Sequence, residues 1–145
     1  MKTILLAGAM LLALSGCGES QDEKAQSNAT RWYTQLQVDK GRAVFRQHCS
    51  VCHGENAQVN PDWKKALPDA QDPPPALNGT AHAWHHPLKI LKRTIDMGGA
   101  PVGGKMPSFK NTLSEEEKEA AIAYFQSFWS EKIYEAWLGR GGLKQ

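Results

Sequence analysis

The sequence predicts an all-α domain, on three observations. Apolar residues return at helical spacing in several segments, most cleanly as Leu88, Leu91 and Ile95 at i, i+3 and i+7. Two segments open on a capping box, Thr34 with Gln37 and Ser114 with Glu117. No segment sustains the two-residue alternation of a strand. With 145 residues and 41% hydrophobic content, the chain suits one ordinary globular domain. Its formal charge of +2 is interspersed rather than clustered, which gives no reason to expect nucleic acid.

Residues 1–16 are expected to be a signal peptide rather than fold. Met1-Lys2 is a short basic start, and Ile4 to Leu14 is an uncharged apolar run. That run is too short for a settled membrane span, which needs about 20 residues. Leu14-Ser15-Gly16-Cys17 resembles a bacterial lipobox, which implies cleavage before Cys17 and lipid on that residue. An ordinary signal peptide with a coincidental cysteine is the alternative. Lipidation also settles the count of three cysteines, since an exported protein with a leftover thiol needs an explanation. Several acyl chains would hold the protein on a membrane. Gly18 follows Cys17 where an aspartate would favour inner-membrane retention, so outer-membrane sorting is slightly favoured. The expected location is the periplasmic side of a bacterial membrane. Residues 17–33 read as the lipidated cysteine and a flexible polar tether, 34–138 as the folded domain, and 139–145 as a fraying tail.

The first helix should begin at Thr34 and use Leu36, Val38, Val44 and Phe45 as apolar positions. Gly41 interrupts it, either as a break or as a point of close approach to another helix. Cys49-Ser50-Val51-Cys52-His53 follows at once. This is C-x-x-C-H, the attachment pattern of a c-type haem, in which two thiols add to the porphyrin vinyl groups and the histidine falls under the iron. Half of a zinc site and a thioredoxin-like redox pair are the alternatives. No second C-x-x-C exists for zinc, and the flanks look helical rather than βαβ.

Glu55 to Asn78 is rich in proline and reads as loop, with one short helix around Trp63 to Ala66. Pro87 looks like the first position of the next helix, and Gly98-Gly99 stops it. Ala100 to Lys110 is a Gly/Pro-rich loop holding Met106-Pro107. The last long helix starts at Ser114, with Ala121, Tyr124, Phe125 and Phe128 as its buried stripe. Ile133, Ala136 and Trp137 form either a further turn or a separate helix.

Over residues 34–130 this order of parts resembles the class I monohaem cytochromes c. Gly41, Phe45 and Cys49 to Gly54 match the pattern of a glycine, an aromatic and C-x-x-C-H-G. The resemblance implies a small fold of three to five helices wrapped around one covalent haem c. It implies that Gly41 meets an aromatic of the last helix, with Tyr124 the candidate, and that Pro75 and Leu77 flank the haem. Met106, followed by Pro107, matches the distal methionine. The segment Gly79 to Pro87 departs from the general pattern and resembles a subgroup of exported bacterial cytochromes.

Cys49, Cys52, His53 and Met106 are therefore the expected cofactor-binding residues, with His53 and Met106 on the iron. Filled axial positions leave no site for a small-molecule substrate, so an electron carrier with redox-protein partners is expected rather than an enzyme. A displaceable Met106 would instead give a gas sensor or weak peroxidase. A haem subunit of a larger oxidase or dehydrogenase is a third reading. Met97 competes as ligand but ends an amphipathic helix, where methionine commonly packs. His82, His85 and His86 could bind copper or supply a distal imidazole. The plainer reading makes them a helix cap, a haem or backbone contact and a solvated side chain. Trp84 is expected to pack near the haem, and His48 to lie on the surface. Lys89, Lys92, Arg93, Lys105 and Lys110 form either a rim that steers an acidic partner or a solvated face.

Overall fold

Residues 31–144 are described in a computed structural model. The expected signal peptide, Cys17 and the expected tether as far as Thr30 lie outside the described residues. Six α-helices follow one another: α1 (Gln35–His48), α2 (Ser50–His53), α3 (Trp63–Ala66), α4 (Leu88–Met97), α5 (Glu115–Gln126) and α6 (Glu131–Gly139). Two 3-10 turns, His82–His85 and Ala100–Val102, precede and follow α4. The all-α expectation holds, with single-turn helices α2 and α3 raising the number above the three to five expected. No strand occurs among the described residues, and no helix there is long and apolar enough to cross a membrane.

Both capping boxes form. Thr34 Oγ1 accepts from the Gln37 amide at 3.3 Å while Gln37 Oε1 accepts from the Thr34 amide at 2.9 Å. Ser114 and Glu117 do the same at 3.2 and 2.8 Å. Each box satisfies amides that the first helical turn leaves without partners. Pro87 sits one residue earlier than expected, as the N-cap of α4 rather than its first residue. Gly98 ends α4 at a φ of 70°, a conformation that favours glycine.

α5 is the centre of the molecule. Ala120 to Gln126 is buried without a break, so the helix is enclosed on all sides rather than along one stripe. α1 crosses it at Gly41, where an added Cβ would overlap the Ala120 carbonyl and lie 3.0 Å from Tyr124 Cβ. The glycine is thus a point of close approach. The expected partner Tyr124 is there, and it also donates to the Glu55 carbonyl at 2.8 Å. Two apolar expectations fail: Leu36 and Phe128 are exposed. Phe128 points outward because α5 ends at Gln126, before the stripe reaches it.

The domain is longer than the sequence suggests. Arg31 to Tyr33 belong to it rather than to the tether. The Trp32 indole donates to Gln126 Oε1 at 2.6 Å and its amide to the Tyr134 hydroxyl at 2.8 Å. Tyr33 is buried, and the Arg31 guanidinium lies 4.0 Å over the Tyr134 ring. α6 is a separate helix capped by Ser130, and it packs Tyr134 and Trp137 into the main core. The tail is tied down as well. Leu88 donates its amide to the Gly142 carbonyl at 2.7 Å, and Gly142 donates to the Trp137 carbonyl at 2.9 Å. Fraying over 139–145 is therefore revised as far as Gly142.

Candidate functional site

The Cys49 amide donates to Phe45 O, so α1 runs to the edge of the motif and α2 continues from it. The amides of Cys52 and His53 both donate back to Cys49 O, at 3.2 and 2.9 Å. Two thiols and an imidazole are thereby fixed on a single helical turn. Gly54, at a φ of 72°, ends that turn. The chain then folds back, and the amides of Val59 and Asn60 donate to His53 O and Cys52 O at 2.8 and 2.9 Å. These bonds satisfy carbonyls that the end of α2 would otherwise leave open. Ala57 and Val59 reach this geometry with φ of 58° and 88°, an uncommon region for a non-glycine residue and an outlying one for β-branched valine.

This folded-back loop also places the proline segment. Ala57 O accepts the amides of Leu77 at 2.7 Å and Asn78 at 3.2 Å. Pro75 is brought to His53, and His53 Nδ1 lies 3.0 Å from Pro75 O. A carbonyl only accepts, so Nδ1 carries the hydrogen and Nε2 keeps its lone pair. Burial lowers the His53 pKa, which favours the neutral ring that a metal needs; the Pro75 contact opposes this in part. The ring is 7% exposed and has Phe45 at its side.

Burial pushes the Cys49 thiol up to about 12, with Cys52 beside it adding to the effect. Burial raises Cys52 too. A reactive redox pair needs a depressed thiol pKa, so the thioredoxin-like alternative has the wrong electrostatics. Among the described residues, no three His, Cys, Asp or Glu side chains converge as a metal-ion site. Neither the zinc alternative nor the copper reading of His82, His85 and His86 gains support from the side chains placed there. His82 and His86 face each other at 5.6 Å, His85 packs on Trp84 at 4.0 Å, and the His86 carbonyl accepts from the Trp137 indole at 2.8 Å. Trp84 is half-buried on the main core, with Arg140 5.2 Å over its ring. His48 is half-buried against Phe109 rather than free on the surface.

Met106 is half-buried in a loop fastened to the end of α4. Its carbonyl accepts from the Gly99 amide at 2.9 Å, Phe109 donates to Ile95 O at 3.0 Å, and Ser108 Oγ donates to Asp96 O at 2.5 Å. A Cβ on Gly98 would collide with Met106 O and Pro107. Met97 is 45% exposed, and its sulfur accepts from Arg93 Nε at 3.3 Å. Two members of the basic rim are thus engaged within the chain. Arg93 is turned to Met97, and Lys92 is paired with Glu115 at 2.9 Å and Glu119 at 2.8 Å. Sequence reading missed Asp96 and Lys118, which meet as an ion pair beside this loop. A lysine among glutamates at the start of an amphipathic helix gives no sign of burial.

The donor set fits a covalently held haem. Two neighbouring thiols precede an imidazole whose free nitrogen is set by a backbone carbonyl. The half-buried apolar residues Leu77, Trp84, Leu88 and Ile95 pack on the same core as Cys49. Residues 36–125 match the family model described as cytochrome c oxidase, cbb3-type, subunit III. The matched stretch runs from α1 to the last turn of α5 and includes Cys49, Cys52, His53 and Met106. No curated protein and no solved structure matches the chain. Because the matched stretch spans more than half of the sequence and its two thiols and imidazole stand on one turn, the chain belongs to this family of c-type cytochrome domains, with a covalent haem c as its cofactor.

Proposed function

We propose that the protein is a single-electron carrier held on the periplasmic side of a bacterial membrane by lipid on Cys17, with His53 and Met106 as the axial ligands of its haem. The observation that carries the ligand assignment is the contrast between the two methionines. Met106 is half-buried in a loop pinned by three hydrogen bonds, whereas Met97 is exposed and its sulfur is taken by Arg93. The bound haem supplies one-electron exchange between ferric and ferrous iron. His53 contributes a neutral imidazole in a fixed tautomer, and Met106 a soft thioether that favours the ferrous state. With both positions filled, no site is left open for oxygen or substrate.

Met106→Ala tests this reading. Covalent haem should remain, the low-spin thioether spectrum should vanish, and the potential should fall. Met97→Ala should change neither. An unchanged spectrum in Met106→Ala would refute the assignment. Rapid carbon monoxide binding by the native ferrous protein would favour a sensor instead.

The family description favours a second reading, a haem subunit within a larger oxidase. Co-purification of an oxidase with this chain from detergent-solubilised membranes supports it. Recovery of the chain alone supports a free carrier.

A further inference from the structure

We propose that Lys118 is a positioning residue for the Met106 loop, acting through Asp96 as a latch between α4 and α5; the inference rests on Met106 as the distal ligand. Lys118 lies in α5, and its side chain is 4% exposed. A lysine is rarely that buried unless paired. Its ammonium meets Asp96 at the end of α4 and Glu115 Oε1 at 2.8 Å. Asp96 Oδ1 is buried, and the Lys118 ammonium is the partner that compensates it.

Asp96 is a joint between two elements. Its side chain reaches α5, while its backbone carbonyl accepts from Ser108 Oγ, two residues beyond Met106. The flanking residues complete the attachment. Ile95 O holds the Phe109 amide, and Gly99 holds the Met106 carbonyl. Ile95 and Phe109 pack on Val44, Leu113 and Ala121, an apolar patch spanning α1, α5 and the segment before α5. The end of α4 therefore carries the loop, and Lys118 fixes the end of α4 to the central helix. A buried ion pair is a poor source of net stability but holds its partners in one geometry, and removing one partner leaves the other charge uncompensated. That fits a role in placement. Glu115 meets Lys118 and also Lys92 of α4, but it is exposed and bonds no residue of the Met106 loop or of the α4 end that carries it. Exposed ion pairs contribute little, so it serves as a control on the same ammonium.

The test uses the full-length holoprotein with Lys118→Met, Asp96→Asn and Glu115→Gln. Two rates are read: amide hydrogen exchange at Gly99 and Phe109, and binding of added imidazole to the ferric protein. Lys118→Met should raise exchange at Gly99 and Phe109 by about tenfold or more, with the amides of Phe45 and Tyr124 changed far less. Imidazole binding should accelerate similarly. Asp96→Asn should shift both in the same direction by less, and Glu115→Gln should leave both nearly unchanged. If Lys118→Met does not fold, Asp96→Asn decides alone by the same local rise. Exchange that stays flat at Gly99 and Phe109, or rises equally throughout α1 and α5, overturns the latch. A local rise with unchanged imidazole binding supports the latch and refutes Met106 as ligand, which separates the two readings.

Discussion

His53 Nδ1 and the Pro75 carbonyl oxygen stand 3.0 Å apart, and this contact decides which imidazole nitrogen is free. The hydrogen bond also makes the ring a better electron donor, which stabilises ferric iron. Pro75→Ala keeps the carbonyl but releases the fixed φ of proline, so the bond should be held less firmly. The haem should stay covalently attached, and the potential should rise, on the order of tens of millivolts. Potentiometric titration of the holoprotein checks this, and a fall in potential would contradict it.

Gly41→Ala should weaken the crossing of α1 and α5. The added methyl meets the Ala120 carbonyl, which belongs to a central helix with no room to retreat. Overpacking of this kind costs about 1–3 kcal/mol. Denaturant unfolding of the holoprotein should show a lower midpoint with an unchanged slope. An unaltered midpoint would mean that the helices can separate at no cost.

Gly142→Ala tests whether the tail is part of the fold. A Cβ there would run into the Trp137 ring, while the Gly142 carbonyl holds the Leu88 amide at the start of α4. The substitution should destabilise the protein by about 1–3 kcal/mol. Deleting Leu143 to Gln145 should have little effect, because Leu143 and Lys144 are exposed. Equal stability of Gly142→Ala and the parent would restore the picture of a frayed end.

Acid should remove a small part of the protein's stability through Glu115. Hydrogen bonds from Lys118, then from Lys92, lower the Glu115 pKa from 4.5 to about 2. A carboxylate with a depressed folded pKa contributes stability that is present above its unfolded value and lost as pH falls through the folded one. The contribution should therefore decline between pH 4.5 and about 2. Glu115 is exposed to solvent, so the effect is screened and should shrink further in high salt. Thermal unfolding across that window should fall less steeply in Glu115→Gln than in the parent. Parallel curves would remove Glu115 from the acid response.

The features that were legible in the sequence share a physical scale. Thr34 with Gln37, Ser114 with Glu117, the stop at Gly98 and the turn carrying Cys49, Cys52 and His53 each involve residues within one or two helical turns. Composition at a few neighbouring positions determined them, and the structure shows them formed. Gly41 was legible only as a choice between a break and a contact, because the deciding atom, the Ala120 carbonyl, is far away in sequence.

By itself, then, the sequence determined the helical class, the two helix starts capped by Thr34 and Ser114, and the haem-attachment turn, since these depend on short-range geometry and on side-chain chemistry. Only the tertiary structure decided that Pro75 sets the His53 tautomer, that Met97 is engaged by Arg93 while Met106 is pinned, that Lys118 is buried, and that Arg31 to Tyr33 join the core. Arg31 and Glu131 meet across a separation of 100 residues. Burial and pairing over such distances come from how the helices pack, and no local pattern encodes them.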